Sequence, residues 1–173
     1  PCMLTLLIVM TILSAGMTTL GAWEVLQWNG RRRVLKRMSG FPMISILKPV
    51  RGLEPQLGVN LHSFFNMNTK IPFELLFSVK QADDPCIAVI RELMAQHPHI
   101  PSRLFVGSPD LGRNPKVSNM HYSWNRAQSD LLLISDSNVR VPKDYLEKLM
   151  AERQRGAALV TQAVYGVDAK SIG

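Results

Sequence analysis

Three observations predict an α/β chain, a mostly parallel sheet with flanking helices, preceded by one N-terminal transmembrane helix. Residues 1–23 carry no charge at all. Beyond residue 42, short apolar runs alternate with stretches whose apolar residues recur at helical spacing, the pattern of a parallel sheet wrapped by helices. Charged and turn-forming residues gather where the apolar runs stop, and ligands of such sheets bind beyond the carboxyl ends of the strands.

Taken in order, Pro1 to Trp23 is long enough to cross the roughly 30 Å hydrocarbon core as a helix. Trp23 and Trp28 fall where amphipathic rings favour the interface, and Arg31, Arg32, Arg33, Lys36 and Arg37 follow. The basic flank comes after the apolar run, so the positive-inside rule places the rest of the chain on the cytoplasmic side. A cleaved signal peptide is the competing explanation, but it carries its charge before the apolar run. Residues 24–41 read as a basic juxtamembrane linker that would also favour anionic head groups.

Met43–Leu47 reads as a first strand. Leu57, Leu61, Phe64 and Phe65 then line one face of a helix. Phe73–Val79 is apolar at nearly every position, as expected of a strand covered on both faces. Cys86, Ile87, Ile90, Leu93 and Met94 make a second helical face, Leu104–Val106 a third strand, and residues 117–128 a further helix. Leu131–Ile134 is the fourth strand, Tyr145, Leu146, Leu149 and Met150 mark another helix, and Ala157–Thr161 is expected to be a fifth strand.

The net charge of +7 over 173 residues resembles a nucleic-acid binder until it is located. Residues 24–51 hold seven Lys/Arg against the single acid Glu24, leaving thirteen bases and twelve acids beyond. The globular part is nearly neutral, which argues against a nucleic-acid-binding face. Cys2 and Cys86 form neither a disulfide framework nor a metal-ligand spacing. The chain begins at Pro1 and reads as the N-terminal piece of a longer protein.

Four motifs fall at strand ends or in strand-to-helix loops. Asp136, at the end of the fourth strand in Asp136-Ser137-Asn138, can hold a hard divalent cation together with phosphate oxygens. Equally, Asp-Ser-Asn is good turn chemistry. In Asp83-Asp84-Pro85, Asp84 serves as a helix cap before Pro85, or accepts from a nucleobase N–H such as that of a uracil. One acid suffices for capping, so the pair leaves one carboxylate over. Lys116, in Asn114-Pro115-Lys116, meets a phosphate near a helix N-terminus or is simply solvated. Lys48-Pro49-Val50-Arg51-Gly52 approaches a nucleotide through backbone and charge, or is a loop with two solvated bases. His62, His97, His99 and His121 have no ligand spacing.

Singly these signals are weak, but their order is specific. From about residue 43 to 165, the segments Ile46-Leu47-Lys48-Pro49-Val50-Arg51-Gly52, Asp83-Asp84-Pro85, Arg103–Gly107, Asn114–Asn119 and Asp136–Val141 resemble the ceramide glucosyltransferase family. The resemblance implies a GT-A-like, Rossmann-like fold, of which residues 42–173 would be the nucleotide-sugar-binding part, itself incomplete. It implies an inverting transfer of glucose from UDP-glucose to a lipid hydroxyl, a divalent cation (Mg2+ or Mn2+), and a cytosolic catalytic domain. Carried over by motif, Asp84 resembles the aspartate near the uridine and Asp136 the one at the metal and diphosphate. Lys116 and Asn119 resemble the lining of the donor pocket, with Lys48 and Asp83 as further donor-side candidates. A third aspartate, the family's general base, and a Gln/Arg-x-x-Arg-Trp motif have no counterpart in these residues, so the catalytic base is expected downstream and residues 1–173 alone are expected to be inactive. The metal motif departs from Asp-x-Asp and leaves one protein carboxylate for the cation. Transfer to a hopanoid or other lipid, a processive polysaccharide synthase, and a membrane-tethered nucleotide-binding scaffold without chemistry are the rival readings.

Overall fold

The computed structural model describes residues 2–30, 41–109, 111–164 and 166. The basic cluster from Arg31 to Arg37 lies outside them. Helix α1 (Cys2–Gly30) forms one unit. Within it Met3–Trp23, 21 residues at a mean hydropathy of 2.0, is long and apolar enough to cross a membrane. The hydroxyls of Thr11, Thr18 and Thr19 donate to carbonyls a turn back, at 2.8–3.0 Å, which satisfies them without water. The helix continues past Trp23 to Gly30, through the first residues expected to be linker.

The second unit is a four-stranded parallel sheet with the order β3-β2-β1-β4. It comprises β1 (Ile44–Pro49), β2 (Phe73–Val79), β3 (Ser102–Val106) and β4 (Leu132–Ile134). Between and after them run α2 (Leu57–Phe65), α3 (Cys86–Gln96), α4 (Pro115–Trp124) and α5 (Tyr145–Arg153). Every residue of β1 and β2 is buried, as their composition requires of central strands covered on both faces.

The two sheet faces differ. Register puts Ile44, Ile46 and Lys48 beside Phe73, Leu75 and Phe77 on one face. There α2 contributes Leu61, Phe64 and Phe65, and α3 contributes Ile90 and Leu93, to a single apolar core that Leu146 and Met150 of α5 join. Phe65 stacks on Phe77 at 5.9 Å, and Tyr145 meets Phe64 edge-on at 6.2 Å. The opposite face, where α4 packs on β1 and β2, carries Ser45, Glu74, Ser78 and Arg103. The buried Glu74 carboxylate accepts from Ser45 Oγ, Arg103 and the Gln128 N–H, each at 2.7 Å. Burial alone would raise this carboxyl, but those hydrogen bonds and the Arg103 charge more than offset it and hold the group below its usual range.

The expected fifth strand does not form: residues 157–161 adopt irregular structure, and Leu159 is 82% exposed. Strand character depends on a ladder partner and on burial more than on composition, and this segment has neither. The chain runs β1, β2, β3 in one direction across the sheet, then returns through α4 to place β4 on the far side of β1. The reversal leaves a crevice at the carboxyl ends of β1 and β4, the switch point at which open α/β sheets bind ligands.

Candidate functional site

A cleft of about 470 Å³ occupies that switch point. The loops after β1, β2 and β4 and the first turn of α4 form its walls. Asp84, Lys116, Asn119 and Asp136 all line it, so four of the six expected site residues meet in one place. Asp83 is exposed and is not among the residues that line it, and Lys48 is buried with its ammonium on the Asp136 carbonyl.

Asp84 is built into the wall. Gly52, at φ 68, takes a left-handed conformation that suits glycine and lets its N–H point at both carboxylate oxygens, at 3.1 and 2.9 Å. Asp84 Oδ1 also accepts from the Cys86 N–H at 3.0 Å, which satisfies an unpaired donor of the first turn of α3. Burial pushes the carboxyl up, but the Cys86 thiol, the Cys86 and Gly52 N–H groups and the Arg51 charge outweigh it and hold it below the ordinary carboxylate range. In turn burial and the Asp84 carboxylate push the Cys86 thiol up to about 12, so this thiol is inert. The capping role foreseen for Asp84 is therefore real, and a clamp on the Lys48–Gly52 segment accompanies it.

Asp136 is different. Its side chain is 48% exposed and its one ion pair among the described residues is with Lys116 Nζ, at 2.5 Å. Lys116 follows Pro115 at the first position of α4, behind Asn114, whose side chain caps the Lys116 N–H at 3.0 Å. Helix placement thus aims the ammonium across the cleft. Asn119, one turn on, is buried: its Nδ2 donates to the Ser78 carbonyl at 3.0 Å, and its Oδ1 has no partner among the described residues.

Lys48 has its side chain fully buried. Its ammonium lies 3.7 Å from the centre of the Phe64 ring and donates to the Asp136 carbonyl at 2.7 Å and to Ser135 Oγ at 3.2 Å. Burial, partly countered by the Asp136 charge, brings its pKa down to about 7.

Sequence reasoning missed Glu54. It lines the cleft opposite Lys116 and accepts from Ser137 Oγ at 2.9 Å. As the one acid between Gly52 and α2 it was visible, but nothing local says that it faces the loop after β4. Lys80 and Gln81 complete the wall after β2.

The donor set suits a hard cation. Asp136, Ser137, Asn138 and Glu54 all line the cleft and carry oxygen donors, the kind a hard cation takes. Among the described residues no group of three His, Cys, Asp or Glu converges, so a cation here would need phosphate or water oxygens to fill its shell. Magnesium bound with a nucleotide ordinarily completes its shell in that way, and here the Lys116 ammonium pairs with the same Asp136 carboxylate.

A model of glycosyl transferase family 21 matches residues 4–173. Ceramide glucosyltransferase 3 of Caenorhabditis elegans is 34% identical over 137 residues, covering 78% of this chain and 29% of the relative. Ceramide glucosyltransferase 1 of the same organism is 41% identical over 104 residues, covering 60% and 22%. The chain therefore spans less than a third of the length of these relatives. Among solved structures, the mannosyltransferase PcManGT from Pyrobaculum calidifontis, in complex with GDP-Man and Mn2+, superposes with a TM-score of 0.57 at 15% identity, covering 83% of this chain and 42% of that one. Staphylococcus aureus TarS 1–349 gives 0.53 at 16% identity, covering 65% and 32%. Both likenesses are of fold, and they agree with the GT-A-like architecture expected from the sequence.

Proposed function

The chain belongs to glycosyl transferase family 21, and from that premise we propose that it forms the donor-binding part of a membrane-anchored, inverting glycosyltransferase. The donor is a UDP-sugar, with glucose the sugar that the relatives' names carry, and the acceptor is a ceramide-like lipid hydroxyl. The observation that carries this reading is the convergence of Asp84, Lys116, Asn119 and Asp136 on one cleft at the sheet's switch point.

The residues divide the work. Asp136, with Ser137, Asn138 and Glu54 beside it, would hold a divalent cation. When bound, that ion neutralises charge that develops on the departing diphosphate. Lys116 places a positive charge beside Asp136, where it would meet a phosphate oxygen of the donor. Asp84 keeps the turn at Gly52 closed, which shapes the wall where the nucleoside would lie. In the transfer itself the lipid oxygen attacks the anomeric carbon, the bond from that carbon to the diphosphate breaks, and UDP leaves with the bonding pair. The acceptor proton passes to a base outside the residues named here, within hydrogen-bond reach of the hydroxyl.

The apolar span Met3–Trp23 of α1, with the run of arginines that follows in the sequence, supports an anchor whose following domain faces the cytoplasm, where soluble UDP-sugars are available. Lipid extracts of cells expressing the gene test the reading. Hexosylceramide should accumulate with the wild type and vanish with Asp136→Ala, while the protein level is maintained. A sugar-modified lipid of another class, or a polymer, would replace the acceptor in this account, and unchanged lipids with Asp136→Ala would end it.

A further inference from the structure

Lys48 was expected to meet the donor, yet its ammonium has another task. It is the last inward-facing residue of β1, in register with Phe77, and its side chain passes through the apolar core before surfacing under the loop after β4. The β1–β4 ladder ends with the Ser135 N–H donating to the Leu47 carbonyl at 3.1 Å. Beyond that bond the loop leaves the sheet. The next ties are those of Lys48, at 2.7 Å to the Asp136 carbonyl and 3.2 Å to Ser135 Oγ. A charged side chain taken wholly out of water costs several kcal/mol unless it is held by good acceptors. The Phe64 ring at 3.7 Å and the two oxygens are the acceptors in place. Lys48 is not among the residues that line the cleft.

We propose that Lys48 is a positioning residue. Its ammonium continues the β1–β4 ladder by one rung and fixes the backbone at Asp136, so that the carboxylate points into the cleft. This rests on the reading above that Asp136 meets the cation.

The test uses the full chain in detergent, with Lys48→Met, Ser135→Ala and Ile90→Val. In place of a change at Phe64, whose ring holds the ammonium, the control is Ile90→Val, which loosens the same core and leaves the ring and both Lys48 hydrogen bonds in place, so it reports what mere destabilisation does. Two readouts are taken: UDP affinity with Mn2+ and with chelator, and amide exchange over residues 135–140 in the unliganded protein. Lys48→Met should lower the Mn2+-dependent affinity about tenfold, leave the affinity in chelator unchanged, and raise exchange in 135–140 about tenfold. Ser135→Ala should move both readouts in the same direction by about threefold. Ile90→Val should move neither beyond its general effect on stability. Should Lys48→Met fail to fold, Ser135→Ala decides the matter. Wild-type exchange and affinity in Lys48→Met, or in Ser135→Ala alone, would overturn the proposal, as would equal effects of Ile90→Val. Equal UDP affinity of the wild type with Mn2+ and with chelator would instead strike the cation reading of Asp136, and exchange over 135–140 would still judge Lys48.

Discussion

Asp84 and Asp136 both sit where a parallel strand gives way to a loop, and both face one cleft, yet the two ends of that cleft are built on opposite principles. At Asp84 the carboxylate is buried and its oxygens take backbone N–H groups from Gly52 and Cys86. At Asp136 the carboxylate is half exposed and pairs with a lysine that is itself half exposed. The first arrangement keeps the wall in one shape. The second leaves lone pairs available and a partner that can move away. A rigid wall suits recognition of a nucleoside, and an available carboxylate suits a cation that arrives with its nucleotide.

The comparison breaks most visibly by removing Asp84. In Asp84→Ala the Gly52 and Cys86 N–H groups lose a charged acceptor, and the expected cost is about 3 kcal/mol of unfolding free energy, read from denaturant curves. Asp136→Ala should leave that free energy within about 0.5 kcal/mol of wild type, as for surface changes generally. It should instead abolish the gain in UDP affinity that Mn2+ provides, about tenfold or more by titration calorimetry. Acid sharpens the contrast. Asp84 and Glu74 have folded pKa values below their unfolded ones, so the native state binds fewer protons than the unfolded chain. The stability they contribute is complete above about pH 4.5 and is lost as pH falls through the lower folded values. The stability gap between wild type and Asp84→Asn should therefore narrow on acidification from pH 6 towards pH 3, measured by urea unfolding. The smallest effect belongs to Lys116→Met. An exposed pair contributes less than about 1 kcal/mol, so its unfolding free energy should hardly change, while its affinity for UDP should become less sensitive to salt.

Much of the sheet was legible because β1 and β2 are buried on both faces, which leaves a continuous apolar run in the sequence. The run 157–161 carries similar composition without a ladder partner, and nothing local distinguishes it from a strand that has one. The cleft was legible through its order of motifs, since Asp84 and Asp136 fall in the loops after β2 and β4, and Lys116 and Asn119 at the start of α4. What was hidden depends on long-range register. Lys48 looks like the first residue of a loop, but β1 runs on to Pro49, and that extension turns its side chain into the core. Glu54 meets Ser137 only because the chain returns across β1 to form β4. Glu74 is tolerable inside a central strand because Ser45 and Arg103 share its face, a pairing set by strand order and not by neighbours in sequence.

The central claim is that the two aspartates divide structure from cation binding, and paired measurements on Asp84→Asn and Asp136→Asn address it most directly. For each variant the urea midpoint and the ratio of UDP affinities with Mn2+ and with chelator are taken on the same preparation. The account requires Asp84→Asn to lower the midpoint and keep the ratio, and Asp136→Asn to keep the midpoint and bring the ratio to one. An Asp136→Asn protein that loses stability as Asp84→Asn does, with its Mn2+ ratio intact, would contradict it.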